Sequence, residues 1–130
     1  MISGGAKNEV DSAYGVIGGG NRQNITDLAT FGVITGGQEN FLNSSHAVIA
    51  GGLHNSNSAI NGVISGGQDN YVAGADCVVS GGARNAARGQ ANVISGGTGN
   101  VAQADYAFVG GGQSHVLTSE ATYGTLVRDR

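Results

Sequence analysis

The chain has 130 residues, with 25 glycines, no proline, one cysteine, 12% charged residues and a formal net charge of -3. So mild a charge gives no electrostatic footprint for nucleic acid or an anionic membrane; a lone cysteine excludes an internal disulfide framework, and no apolar run approaches the roughly 20 residues of a membrane helix. Glycine at this level without a period would suggest disorder, but here it stands in register with Val and Ile, so the chain reads as folded.

The register begins at Met1-Ile2-Ser3-Gly4-Gly5 and occurs eight times in all, with second glycines at Gly5, Gly20, Gly37, Gly52, Gly67, Gly82, Gly97 and Gly112. Every step is fifteen residues except one of seventeen. A short fixed period predicts a solenoid, in which each coil buries its apolar face against the next. No leader pattern precedes the repeat, so the expectation is a piece of a longer chain or secretion arranged elsewhere.

Numbering columns from the first apolar residue, column one reads Met1, Val16, Val33, Val48, Val63, Val78, Val93 and Phe108, and column two Ile2, Ile17, Ile34, Ile49, Ile64, Val79, Ile94 and Val109. Adjacent β-branched residues predict a strand whose neighbouring side chains point to opposite faces. Both columns cannot fill one core, and an uncovered Val or Ile row would exceed the apolar patch of a usual soluble monomer. One column is therefore expected inside the coil and the other against another subunit.

Column three is small, and columns four and five are glycine throughout, including Gly19-Gly20, Gly36-Gly37, Gly51-Gly52, Gly66-Gly67, Gly81-Gly82 and Gly96-Gly97. This predicts a turn with positive φ or an approach too close for a Cβ. Column eight supplies Asn40, Asn55, Asn70, Asn85 and Asn100, with Asn8, Gln23 and His115 at the other coils. It predicts a ladder of asparagines that tolerate left-handed backbone and bond amide to amide between coils. A second short strand is expected at columns nine and ten, and a polar turn at columns eleven to fourteen. Eight coils about 4.8 Å apart would make a rod roughly 38 Å long. The two extra residues fall in Thr26 to Gly32, a loop free to project. Residues 1 to 127 thus read as a single β-roll repeat domain, and Arg128-Asp129-Arg130 as its closing end or the start of a following segment.

Candidate chemistry is sparse. His46, His54 and His115 occupy columns fourteen, seven and eight without zinc-ligand spacing, so they read as turn or ladder residues and no metal is expected. Cys77 stands in column fifteen, otherwise Gly, Ala or Asn, and reads as a small packing residue. The triple glycines at Gly18 and Gly110 lack the Gly-Lys-Ser/Thr of a phosphate loop. Asp69 follows a double glycine without the second glycine of a calcium repeat. Neither the hexapeptide period of left-handed acyltransferases nor the stacked threonines of an ice-binding face is present. No catalytic residue and no cofactor is expected. Exposed rings in the variable columns, Phe41, Tyr71, His46, Tyr106 and Tyr14, are candidate contacts for a protein or glycan, or for a neighbouring subunit. Asn24-Ile25-Thr26 and Asn43-Ser44-Ser45 match glycosylation acceptors, as chance allows in so Asn- and Ser-rich a repeat.

The run Val-Ile-Ser-Gly-Gly-x-x-Asn-x-Val/Ala, at Val63 to Val72 and Val93 to Ala102, resembles head repeats of trimeric autotransporter adhesins and related repeats of phage tail fibres. Ala86-Ala87-Arg88-Gly89 echoes the Ala-x-Ala-x-Gly turn of the adhesin heads. The period of fifteen and the second glycine depart from the adhesin pattern. The resemblance implies an all-β, left-handed parallel β-roll, three chains around a threefold axis, and attachment to a host surface protein or glycan. The expectation is a non-enzymatic, extracellular fibre or adhesin segment on a cell surface or virion, with a ligand-free spacer as the rival and an ice-binding solenoid behind it.

Overall fold

The computed structural model describes residues 1–120 and 124–126. Every strand has two residues, and the strands stack into two parallel eight-stranded sheets. One sheet takes columns one and two: β2 (Val16–Ile17), β4 (Val33–Ile34), β6 (Val48–Ile49), β8 (Val63–Ile64), β10 (Val78–Val79), β12 (Val93–Ile94), β14 (Phe108–Val109) and β16 (Thr125–Leu126). The other takes columns nine and ten: β1 (Glu9–Val10), β3 (Asn24–Ile25), β5 (Phe41–Leu42), β7 (Ser56–Asn57), β9 (Tyr71–Val72), β11 (Ala86–Ala87), β13 (Val101–Ala102) and β15 (Val116–Leu117). Column six adds a third line of single parallel bridges, from Ala6↔Asn21 to Thr98↔Gln113. The chain is a parallel β-solenoid of about eight coils, with no helix among the described residues. Arg128-Asp129-Arg130, read above as an end cap or lead-in, lies outside the described residues.

Register follows the period. Val78 faces Val93, fifteen residues on, whereas Val16 faces Val33 and Asn24 faces Phe41 across the two-residue enlargement. The extra length is absorbed in the Thr26 to Phe31 turn, where Leu28 stands exposed and Ala29 stays buried. A second seventeen-residue step pairs Phe108 with Thr125.

The two apolar columns divide as strand alternation demands. Ile17, Ile34, Ile49, Ile64, Val79, Ile94 and Val109 of column two are all 0% exposed, while Val16, Val33, Val48, Val63, Val78 and Val93 of column one point outward, half-buried. Column ten closes the core from the opposite sheet, and in several coils columns ten and fifteen trade volume, although Ala102 and Ala107 are small together. Leu42 is matched by Ala47 and Val72 by Cys77, and where Ala87 leaves room the partner is Asn92. The polar intruders are satisfied: Asn92 Nδ2 donates to Ala102 O at 2.9 Å and its Oδ1 accepts from Ala107 N at 2.8 Å. Asn57 donates to Val48 O at 3.2 Å and accepts from Ala59 N at 3.2 Å. Buried amides paired in this way avoid the penalty of orphaned polar groups.

Candidate functional site

Each coil turns where side-chain chemistry permits left-handed backbone. The second glycine of every pair has φ between 85° and 101°; at Gly67 a Cβ would overlap Gly82 O and sit 2.6 Å from Asn70 Nδ2. Column seven (Lys7, Arg22, Glu39, His54, Asp69, Arg84, Ser114) and column fourteen (Tyr14, Phe31, His46, Asn61, Asp76, Ala91, Tyr106) have φ from 54° to 61°. No β-branched residue occurs in either column, as the sterics of this region require. The left-handed residue is thus the one before each ladder asparagine, not the asparagine itself.

The ladder couples side chain to backbone rather than amide to amide. Asn70 Oδ1 accepts from Asn85 N at 3.0 Å, and its Nδ2 donates to Gly66 O and Gly82 O at 3.1 Å each. Asn40, Asn55, Asn85 and Asn100 repeat this three-bond pattern. Each amide therefore ties the glycine turn of its own coil to that of the next. At Gln23 the longer side chain keeps the acceptor bond to Asn40 N at 3.0 Å, but its buried Nε2 has no partner.

The candidate ligand contacts are spread over two regions. Phe41 and Tyr71 stand on the outer face of β5 and β9, two coils apart with Ser56 between them, at 39% and 37% exposure. His46 and Tyr106 occupy the column-fourteen turn, and His46 closes a stack that the sequence reading missed. Tyr14 and Phe31 lie 4.9 Å apart between centroids at 6°, and Phe31 and His46 5.2 Å apart at 24°. Counting back from column fifteen would have aligned these three rings; counting forward, the two extra residues hide Phe31.

Column seven carries side-chain pairs between coils: the ion pair of Arg22 Nη1 and Glu39 Oε1 at 3.2 Å, and the hydrogen-bonded His54 Nδ1 and Asp69 Oδ1 at 2.6 Å. Hydrogen bonds from Gln38 and then Arg22 hold the Glu39 carboxyl below its usual range. Burial pushes the Cys77 thiol up, and its Sγ lies 2.9 Å from Gly89 O. The three histidines remain on different columns, and no cluster of metal-ligating side chains occurs among the described residues. No family model matches the chain, and no curated protein does. What the surface offers, then, is periodic: a Val row, a glycine row, a charged row and a turn row that repeat with each coil.

Proposed function

We propose that this chain is a rigid, non-enzymatic segment of an extracellular fibre or adhesin, a left-handed β-roll assembled as a homotrimer on a cell surface or virion. The observation that carries this reading is the outward row Val16, Val33, Val48, Val63, Val78 and Val93, apolar along the rod while the core is already filled by column two. Such a row is stabilised by a neighbour that removes it from water, at about 25 cal/mol per Å². Three equivalent rods would then present Phe41, Tyr71, His46 and Tyr106 in triplicate, so that weak contacts to a host protein or glycan add by avidity.

A ligand-free spacer is the second reading, and the aromatic stack favours it. Both faces of Phe31 are occupied by Tyr14 and His46, which leaves ring edges rather than platforms for a ligand. Light scattering over a wide dilution range tests the assembly: a persistent threefold mass is expected, and a folded monomer refutes it. Binding of the assembled protein to host cells and a glycan panel separates adhesin from spacer, since a spacer gives only background.

A further inference from the structure

Three glycine columns serve the fold differently. Column five needs glycine for its positive φ and for the carbonyl of the next coil. In column fifteen, a Cβ on Gly32 would run into Leu42, and one on Gly62 would lie 2.5 Å from Asn57 Oδ1. Column four is glycine in all eight coils, yet a Cβ built on Gly4, Gly19, Gly36, Gly51, Gly66, Gly81, Gly96 or Gly111 meets nothing within 4 Å. Apart from Gly111 at φ 154°, none has a positive φ. Nothing inside the chain therefore requires glycine there, although glycine weakens extended backbone through its unfolded-state freedom. A requirement felt at every coil and absent from the chain's own packing points outside it.

The rest of that face agrees. Column one gives the half-buried Val row and column three small side chains, Ser3, Gly18, Thr35, Ala50, Ser65, Ser80, Ser95 and Gly110; no charged residue enters columns one to four anywhere along the rod. We infer that columns one, three and four form a backbone-close contact face for a second copy of this chain, with the column-four glycines setting how near the copy approaches. This rests on the assembly reading above and names the face that reading leaves open. The occupant follows from periodicity: a surface that repeats at every coil is matched along its whole length by a partner with the same coil rise, and another copy has it. An uncharged face also lets parallel copies meet without opposing like charges. Four columns span about 10 Å, so a rod of roughly 38 Å offers on the order of 400 Å² of projected face. That is about half of the ~800 Å² per partner of a standard interface, so a closed ring, in which every chain gives one face and receives another, suits it better than a pair.

The test compares the chain with Gly66→Gln and Gly81→Gln, singly and together, by light scattering over a dilution series, with far-UV circular dichroism reporting the fold. Because a side chain there meets open space within the chain, the variants are expected to keep the β-spectrum while the mass falls from threefold to that of one chain. Should the double variant not fold, hydroxyl-radical footprinting of the unaltered protein decides: Val63 and Val78 are expected to lose reactivity on assembly relative to Tyr71. Assembled variants of unchanged mass, or Val63 and Val78 equally reactive in both states, overturn the contact face while the assembly reading stands. An unaltered chain that is monomeric at every concentration overturns both, and one that also shapes growing ice crystals places ice on this face.

Discussion

Replacing Asn70 by Ala tests whether the ladder holds neighbouring coils together. Asn70 is 1% exposed, and truncation removes one accepted and two donated hydrogen bonds. Gly66 is half-buried and Gly82 exposed, so water can reach both carbonyls, and Gly82 O keeps the Gln68 N–H at 3.0 Å, but the amide of buried Asn85 loses its acceptor. At about 1 to 3 kcal/mol for the one buried group left unpaired, the expected loss is about 2 kcal/mol. A domain of this size has roughly 5 to 15 kcal/mol in all, so the variant folds but with part of its margin gone. Urea unfolding followed by circular dichroism measures the loss, and amide exchange at Asn85 localises it. A loss under about 1 kcal/mol with the Asn85 amide still protected would show that the ladder decorates the core without supporting it. Asn70→Asp sharpens the test, because its carboxyl must be protonated to donate to Gly82 O. Its folded-state pKa is thus raised, so its stability is best below the ordinary carboxyl pKa and falls as pH rises through the raised value.

Three further outcomes follow from the same geometry. Gln23→Asn shortens a ladder side chain with an orphaned nitrogen and supplies the donor bonds made at Asn40, for a gain of about 1 kcal/mol after the lost methylene; an unchanged or lower urea midpoint refutes it. Gly67→Ala places a Cβ against Gly82 O at a φ of 89° and is expected to lose more than about 2 kcal/mol or fail to fold, read as a collapse of the cooperative thermal transition; a native-like melt contradicts it. Cys77, buried with its thiol shifted up, should resist iodoacetamide in the native protein and react fully in urea; rapid native alkylation, monitored by mass, would place it nearer the surface than the fold allows.

Much of the fold could be read from the period, because one coil constrains all the others. Strands at columns one and two and at nine and ten, the short turns and the seventeen-residue step each left a compositional mark. Which of the two apolar columns faces inward did not, since Val and Ile suit either side of a strand; the longer Ile fills the interior and the shorter Val stays outside. The left-handed positions were hidden for the opposite reason. Lys7, Glu39, Ser114 and Tyr106 share no chemistry, and their columns are recognisable only by the β-branched residues they lack. The single bridges at column six were equally silent, since a lone pair such as Leu53↔Gln68 imposes no alternation on the sequence. For the surface, Phe41 and Tyr71 read as exposed rings, whereas the column of Tyr14, Phe31 and His46 is legible only when counted back from column fifteen, and their stacking only in the coil geometry.

The parallel register has a consequence for a chain under tension. Each strand bonds only to strands one coil away, so a pull along the axis loads these short strand pairs in series, with no longer strand to share the force. A coil torn from the end frees fifteen residues, about 50 Å of extended chain at roughly 3.4 Å each, in exchange for about 4.8 Å of rod. Stretching would therefore dissipate work in a sawtooth of nearly equal steps, lengthening at the seventeen-residue turns. The molecule would yield as a shock absorber while the coils behind the break kept their shape.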